Sequence, residues 1–222
     1  MSRSWIPNAL TALNLVFGVF AIIVVFHGDF IMAAYCVVAA LVADSLDGRA
    51  ARYFGVSGEF GKELDSLCDQ SSFGVAPAVM AYVFSLKELG WAGAAAAAIF
   101  ACCVAFRLAR FNVNVSNVKG YFMGLPSPCG GALVATFTMM EITIPAWSFL
   151  VFVLFVGYLI VSEIRYPEFK GKGQKQNINP MPAILTLIIV GSMLFYRPDS
   201  WLFAPFFAFM LFGLVNSLFP AK

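Results

Sequence analysis

Four aspartates, Asp44, Asp47, Asp65 and Asp69, stand where charge is expensive, each pair toward one end of a long apolar stretch. An Asp at the centre of a membrane helix costs roughly 2.5–3.5 kcal/mol on insertion scales, so four cost on the order of 10 kcal/mol unless neutralised. A divalent cation neutralises them, and an oxygen-only donor set favours Mg²⁺, Mn²⁺ or Ca²⁺ over zinc. On a helix, positions 44, 47, 48, 51 and 52 form one stripe of two carboxylates, two small residues and Arg52. Positions 61, 65 and 69 form a second stripe of a glycine and two carboxylates. Small residues beside carboxylates leave room for a bulky ligand to approach the backbone. Helix caps or solvated helix ends would account for one pair, but not for two matching stripes.

The elements that carry these stripes belong in a membrane. Hydrophobic residues make up 61% of the 222-residue chain and charged ones 12%, against about 25% charged in a soluble domain. Apolar stretches near the ~20 residues that span a bilayer recur along the whole length. Eight are expected, at roughly 8–26, 31–53, 60–84, 91–111, 130–146, 148–165, 181–196 and 200–219. The first reads as a span, not a leader, because it lacks a small-x-small cleavage site and the next segment follows within five residues. The expectation is an all-α, polytopic integral membrane protein. Residues 1–170 would form a six-helix catalytic core, and residues 171–222 a basic loop followed by a C-terminal transmembrane hairpin.

Positive charge sets the orientation. With both termini on one side, that side holds Arg3, Arg49, Arg52, Lys62, Arg107, Arg110, Lys119, Arg165, Lys170, Lys172, Lys175 and Lys222, leaving Lys87 and Arg197 on the other. The bias places both termini and both Asp stripes on the cytoplasmic face of the inner membrane. The second and third helices then form an antiparallel hairpin, with Asp44 and Asp69 each about ten residues, roughly 15 Å or less, from its inner ends. That depth suits joining a polar headgroup to a lipid whose tails stay in the bilayer.

Other chemistries lack support. The five cysteines show no C-x-x-C spacing and His27 stands alone, so zinc and Ser/His/Asp catalysis are not expected. Gly55, Gly58 and Gly61 lie in no βαβ pattern, which excludes a dinucleotide fingerprint. The Asn114-Val115-Ser116 sequon falls in a cytoplasmic loop and is expected to be silent, and the Ala94–Ala98 run reads as close helix packing. No nucleic-acid partner is expected. The basic segment 171–180 suits contact with anionic lipid headgroups.

The full pattern D-x2-D-G-x2-A-R-x8-G-x3-D-x3-D is met by Asp44, Asp47, Gly48, Ala51, Arg52, Gly61, Asp65 and Asp69. It resembles the signature of the CDP-alcohol phosphatidyltransferases, membrane enzymes of phospholipid synthesis. The resemblance implies that Asp44, Asp47 and Asp65 bind divalent metal, Mg²⁺ or Mn²⁺, as one ion or a pair, with Ca²⁺ as a substitute. Asp69 would share a metal and act as the base on the acceptor hydroxyl. Gly48, Ala51, Arg52 and Gly61 would surround the cytidine diphosphate, and the protein would be a homodimer. Physically, glycine permits close approach and arginine forks onto phosphate oxygens. For Gly48 and Gly61 helix packing stays open, and for Arg52 a role as an interfacial anchor.

Four further stretches narrow the acceptor: Pro7-Asn8…Thr11…Asn14…Gly18, Arg107–Asn112, Gly124–Pro128 and Ser162–Pro167. They are similar to the serine-accepting branch of the family, which implies CDP-diacylglycerol and L-serine as substrates and CMP as the leaving group. An archaeal version would use an ether-lipid donor. A serine carboxylate calls for a guanidinium, which Arg107 or Arg110 would supply, with Asn112 orienting the amine or hydroxyl. Either arginine could instead anchor the helix at the interface. Sister enzymes take glycerol-3-phosphate or inositol phosphate and would want a denser basic cluster. A carboxylate-lined cation transporter would favour midplane sites, broken helices and an internal repeat, and no repeat is evident.

Overall fold

The computed structural model describes residues 5–56, 58–114, 121–140, 142–167 and 180–218. Outside them lie Arg3, Lys119, Lys170, Lys172, Lys175, Lys222, the Val115-Ser116 part of the sequon and the 171–179 loop. The described chain is helical almost throughout. Helix α1 (Trp5–Phe26) and α2 (Phe30–Phe54) form a hairpin. Gly28 turns at φ 83°, and Asp29 caps α2 by accepting the Met32 amide at 2.8 Å. The two helices meet through buried Ala21, Ala33, Ala34, Val37 and Ala40, small side chains that let backbones approach closely in lipid. Gly55, left-handed at φ 64°, ends α2.

The third apolar stretch is one rod with an interruption. Helix α3 (Glu59–Asp69) passes into a π-helical turn (Gln70–Val75) and continues as α4 (Ala76–Phe84). Ser72 donates to the Asn14 carbonyl at 2.9 Å, and Gln70 to the Ala101 carbonyl at 3.0 Å, so the wide turn is fastened from two sides. Helix α5 (Trp91–Asn114) follows, then a short strand β1 (Tyr121–Met123).

Helix α6 (Ser127–Met139) is the central pillar, packed against α2, α4, α7 (Ala146–Val161) and the π turn. Nearly all its residues are buried, as expected of a helix apolar on every face. The sequence placed this span at 130–146, but the helix starts earlier and stops at Met139. Pro128 fits the first turn, where no amide partner is needed. The β-branched run Ile142-Thr143-Ile144 before Pro145 is disfavoured in a helix, and Pro145 instead opens α7.

Strand β2 (Arg165–Pro167) pairs antiparallel with β1, the one strand pair among the described residues. Helix α8 (Pro180–Tyr196) and α9 (Ala204–Leu218) complete the described chain, and α9 packs on α6 and β2. Among the described residues three helices, α1, α2 and α5 to Val113, are long and apolar enough to cross a membrane, and shorter apolar helices stand beside them. Trp5, Trp91, Trp147 and Trp201 are exposed, placed as interfacial anchors are.

The β1–α6 connection is tightly fixed. Gly124 adopts φ 74°, and a side chain there would press on the Ser162 carbonyl oxygen at 2.8 Å. Gly124→Ala is therefore expected to cost about 1–3 kcal/mol, read as a lowered Tm in detergent. An unchanged Tm would show that this crossing relaxes freely.

Candidate active site

The two Asp stripes face each other across the α2–α3 hairpin. Carboxylate oxygens of Asp44, Asp47 and Asp65 all lie within 4.8 Å of one another. Three carboxylates this close repel, and Asp65 has a buried oxygen with no hydrogen-bond partner. That donor set fits a hard divalent cation, which takes oxygen ligands and supplies the missing charge. Asp69 lies outside this trio, one helical turn beyond Asp65. It is buried, and its carboxylate accepts from Asn14 Nδ2 at 2.9 Å.

Helix α1 supplies the supports. Thr11 donates to Asp47 at 2.6 Å, just as Asn14 holds Asp69. Both are buried polar side chains in a helix whose one other polar side chain is Asn8, spaced i and i+3 so that they share one face. In the sequence they belong to the stretches similar to the serine-accepting branch, a resemblance that gives them no task. Their polarity within a membrane helix was the available signal, since such groups face a bundle interior and find partners.

Beside the carboxylates opens a cleft of 480 Å³, lined by Asn8, Thr11, Asp47, Gly48, Ala51, Arg52, Gly61, Lys62 and Asp65 among others. All four residues expected around the cytidine diphosphate are in its wall. A Cβ added to Gly48 would meet nothing closer than Arg52 Nη1 at 3.6 Å, and one at Gly61 nothing closer than Asn8 Oδ1 at 3.6 Å. Neither glycine is required by protein packing, and glycine inside a helix costs about 1 kcal/mol relative to alanine. What their smallness provides is open space in the cleft. Gly61→Leu should fill that space and weaken CDP-diacylglycerol binding at least about tenfold, equivalent to ~1.4 kcal/mol. Titration of the donor at equilibrium checks this; an unchanged Kd would take Gly61 out of the binding wall.

The three acceptor candidates have different surroundings. Arg110 directs its guanidinium to the Val161 carbonyl at 2.9 Å and the Ser162 carbonyl at 3.3 Å, capping the end of α7. Asn112 donates to Ser66 Oγ at 2.9 Å, and its carbonyl accepts from Lys62 at 2.7 Å, tying α5 to α3. Arg107 is 8% exposed and donates to Ser127 Oγ at 3.0 Å, while its Nε–H has no partner. It lies within electrostatic reach of Asp69. Ser127, part of the Gly124–Pro128 stretch but given no role of its own by the sequence, thus meets Arg107 at the start of α6.

A model of the CDP-alcohol phosphatidyltransferase family matches residues 4–156. The chain belongs to that family. The match holds both Asp stripes, the cleft and Arg107, so this CDP-alcohol phosphatidyltransferase carries its whole candidate site within the matched segment. It is similar to a Helicobacter pylori protein called CDP-diacylglycerol–serine O-phosphatidyltransferase, 36% identical over 220 residues, covering 96% of this chain and 91% of that protein. Proteins of the same description from Methanocaldococcus jannaschii and Bacillus subtilis are 38% and 31% identical. The first match covers 75% of this chain and 76% of that protein, the second 75% and 92%.

Proposed function

We propose that this phosphatidyltransferase moves a phosphatidyl group from CDP-diacylglycerol to L-serine and releases CMP. The observation that carries the reading is the arrangement around Asp69. Near it stand the carboxylate trio and the open-walled cleft, and within electrostatic reach lies a buried guanidinium with an N–H to give. The cleft holds the cytidine diphosphate, with Gly48 and Gly61 admitting it and Arg52 reaching its phosphates. The serine carboxylate meets Arg107, whose Nε–H has no partner among the described residues. That contact brings the serine hydroxyl toward Asp69, whose carboxylate takes its proton as the oxygen attacks the lipid-side phosphorus. The bond from that phosphorus to the CMP oxygen breaks, and CMP leaves with the electron pair. Asn14 holds Asp69 by one carboxylate oxygen and leaves the other to receive the proton.

Mg²⁺ or Mn²⁺ would be held by Asp44, Asp47 and Asp65, with Asp69 nearby, and would supply charge neutralisation for the diphosphate and the leaving oxygen. The lysine and arginine bias supports an inner-membrane enzyme with both termini and the site on the cytoplasmic side. We take residues 1–170 as the catalytic core, the eight apolar stretches as crossings, and the working unit as a homodimer.

The test is CMP release by purified protein supplied with CDP-diacylglycerol and Mn²⁺ or Mg²⁺, comparing serine, glycerol-3-phosphate and inositol phosphate. Serine-dependent, chelator-sensitive release is the expected result. Release only with a phosphorylated acceptor would keep the Asp roles and overturn serine.

A further inference from the structure

The matched family segment ends at residue 156, yet beyond it β2 packs on β1 and α9 packs on α6 and β2. Tyr166 is fully buried in β2 and stacks on Phe209 of α9, ring centroids 5.6 Å apart at 21°. Gly213, one turn further along α9, lies directly under the same ring, and a Cβ there would enter it. Glycine is the poorest ordinary residue for a helix interior after proline, and here its lack of a side chain is what lets the ring seat. Cys129 Sγ on α6 reaches the Phe206 carbonyl of α9 at 3.8 Å.

From Tyr166 the connections run to Arg107. Tyr166 pairs with Phe122 of β1. The next residues on that strand's path, Gly124 and Leu125, donate their amides to Ile164 and Leu159 carbonyls at 2.9 Å each. Two residues later Ser127 begins α6 and accepts from Arg107. The Tyr166 hydroxyl has no hydrogen-bond partner, and burial raises its pKa, so it stays a neutral, unused donor. Tyr166 is therefore kept for its ring.

We propose that α9 positions the acceptor side of the active site, with Tyr166 seated against Gly213 as the contact that sets Ser127 and thereby Arg107. Both are positioning residues; neither touches substrate. The inference rests on the reading that Arg107 receives the serine carboxylate. The donor cleft and the carboxylate trio are built from α1, α2 and α3, so a displaced α9 leaves them in place.

The experiment uses the full-length protein in detergent micelles with CDP-diacylglycerol and Mn²⁺. Gly213→Ala is expected to raise the serine KM about 10- to 100-fold, the scale for a misplacement near 1 Å, with the donor KM unchanged. Adding Tyr166→Leu removes the ring that the new methyl strikes, and the double variant is expected to recover most of the loss. A rise in both KM values together, a change in neither, or a double variant no better than the single overturns the proposal. If Gly213→Ala does not accumulate, Tyr166→Leu alone is read by the same split. Serine-dependent CMP release by the unaltered protein is the control whose absence strikes the functional reading instead. In that event amide exchange across residues 124–130 decides the positioning claim: it must quicken in Gly213→Ala and slow again in the double variant, and unchanged exchange overturns it.

Discussion

Asp69→Asn is expected to lower turnover by about 10²–10⁴-fold, the range contributed by a positioned general base, while CDP-diacylglycerol still binds. The substitution is isosteric. An amide oxygen at position 69 still accepts from Asn14 Nδ2, which now stands 2.9 Å from the carboxylate. The Asp44, Asp47 and Asp65 trio is untouched, and so is the donor cleft, which Asp69 does not line. What disappears is the group able to take a proton from the acceptor hydroxyl. Single-turnover CMP release with donor prebound separates the two effects. A rate near that of the unaltered enzyme would remove Asp69 from the role of base. A loss of donor affinity of the same size would place it in the donor site instead.

Arg107→Ala is expected to raise the serine KM by about 30-fold or more, since removing one partner of a buried charged hydrogen bond costs about 2–5 kcal/mol. Arg110→Ala provides the contrast. Its guanidinium caps Val161 and Ser162, so its loss should cost about 1–3 kcal/mol of stability with little change in either KM. The pair separates recognition from capping on one helix, three residues apart. Equal effects on serine and donor KM in Arg107→Ala would mean that this arginine only holds the core together. A serine-specific defect in Arg110→Ala would transfer the carboxylate contact to it.

The Asp stripes were legible because they depend only on helical period. Positions 44, 47 and 48 must share a face, as must 61, 65 and 69, and the cleft contains members of both groups. The all-helical character was equally local, since long apolar runs leave the backbone no other way to satisfy its hydrogen bonds in lipid. Contacts distant in sequence were not legible. Arg110 ranks equal with Arg107 as a serine ligand in the sequence until α7, some fifty residues later, brings two carbonyls to it. Gly213 reads as ordinary until Tyr166 arrives over it. The π turn left no mark either: Gln70-Ser71-Ser72-Phe73-Gly74-Val75 reads as uninterrupted helix, and its widening is set by Asn14 and Ala101 on neighbouring helices.

That π turn makes the rod from Glu59 to Phe84 a shaft with a coupling in it. An ordinary helix would lock the angular phase of α4 to that of α3, so the face that packs in the core would dictate where Asp65 and Asp69 point. With about five main-chain steps per hydrogen bond in place of four, the turn resets that phase by one residue, close to 100°. The α4 half of the rod can thus obey its packing on the α6 pillar while the α3 half keeps Asp65 and Asp69 toward the carboxylates of α2. Shortening the coupling by one residue would swing both aspartates about a quarter-turn away from α2, breaking up the carboxylate cluster without altering a single residue of its motif.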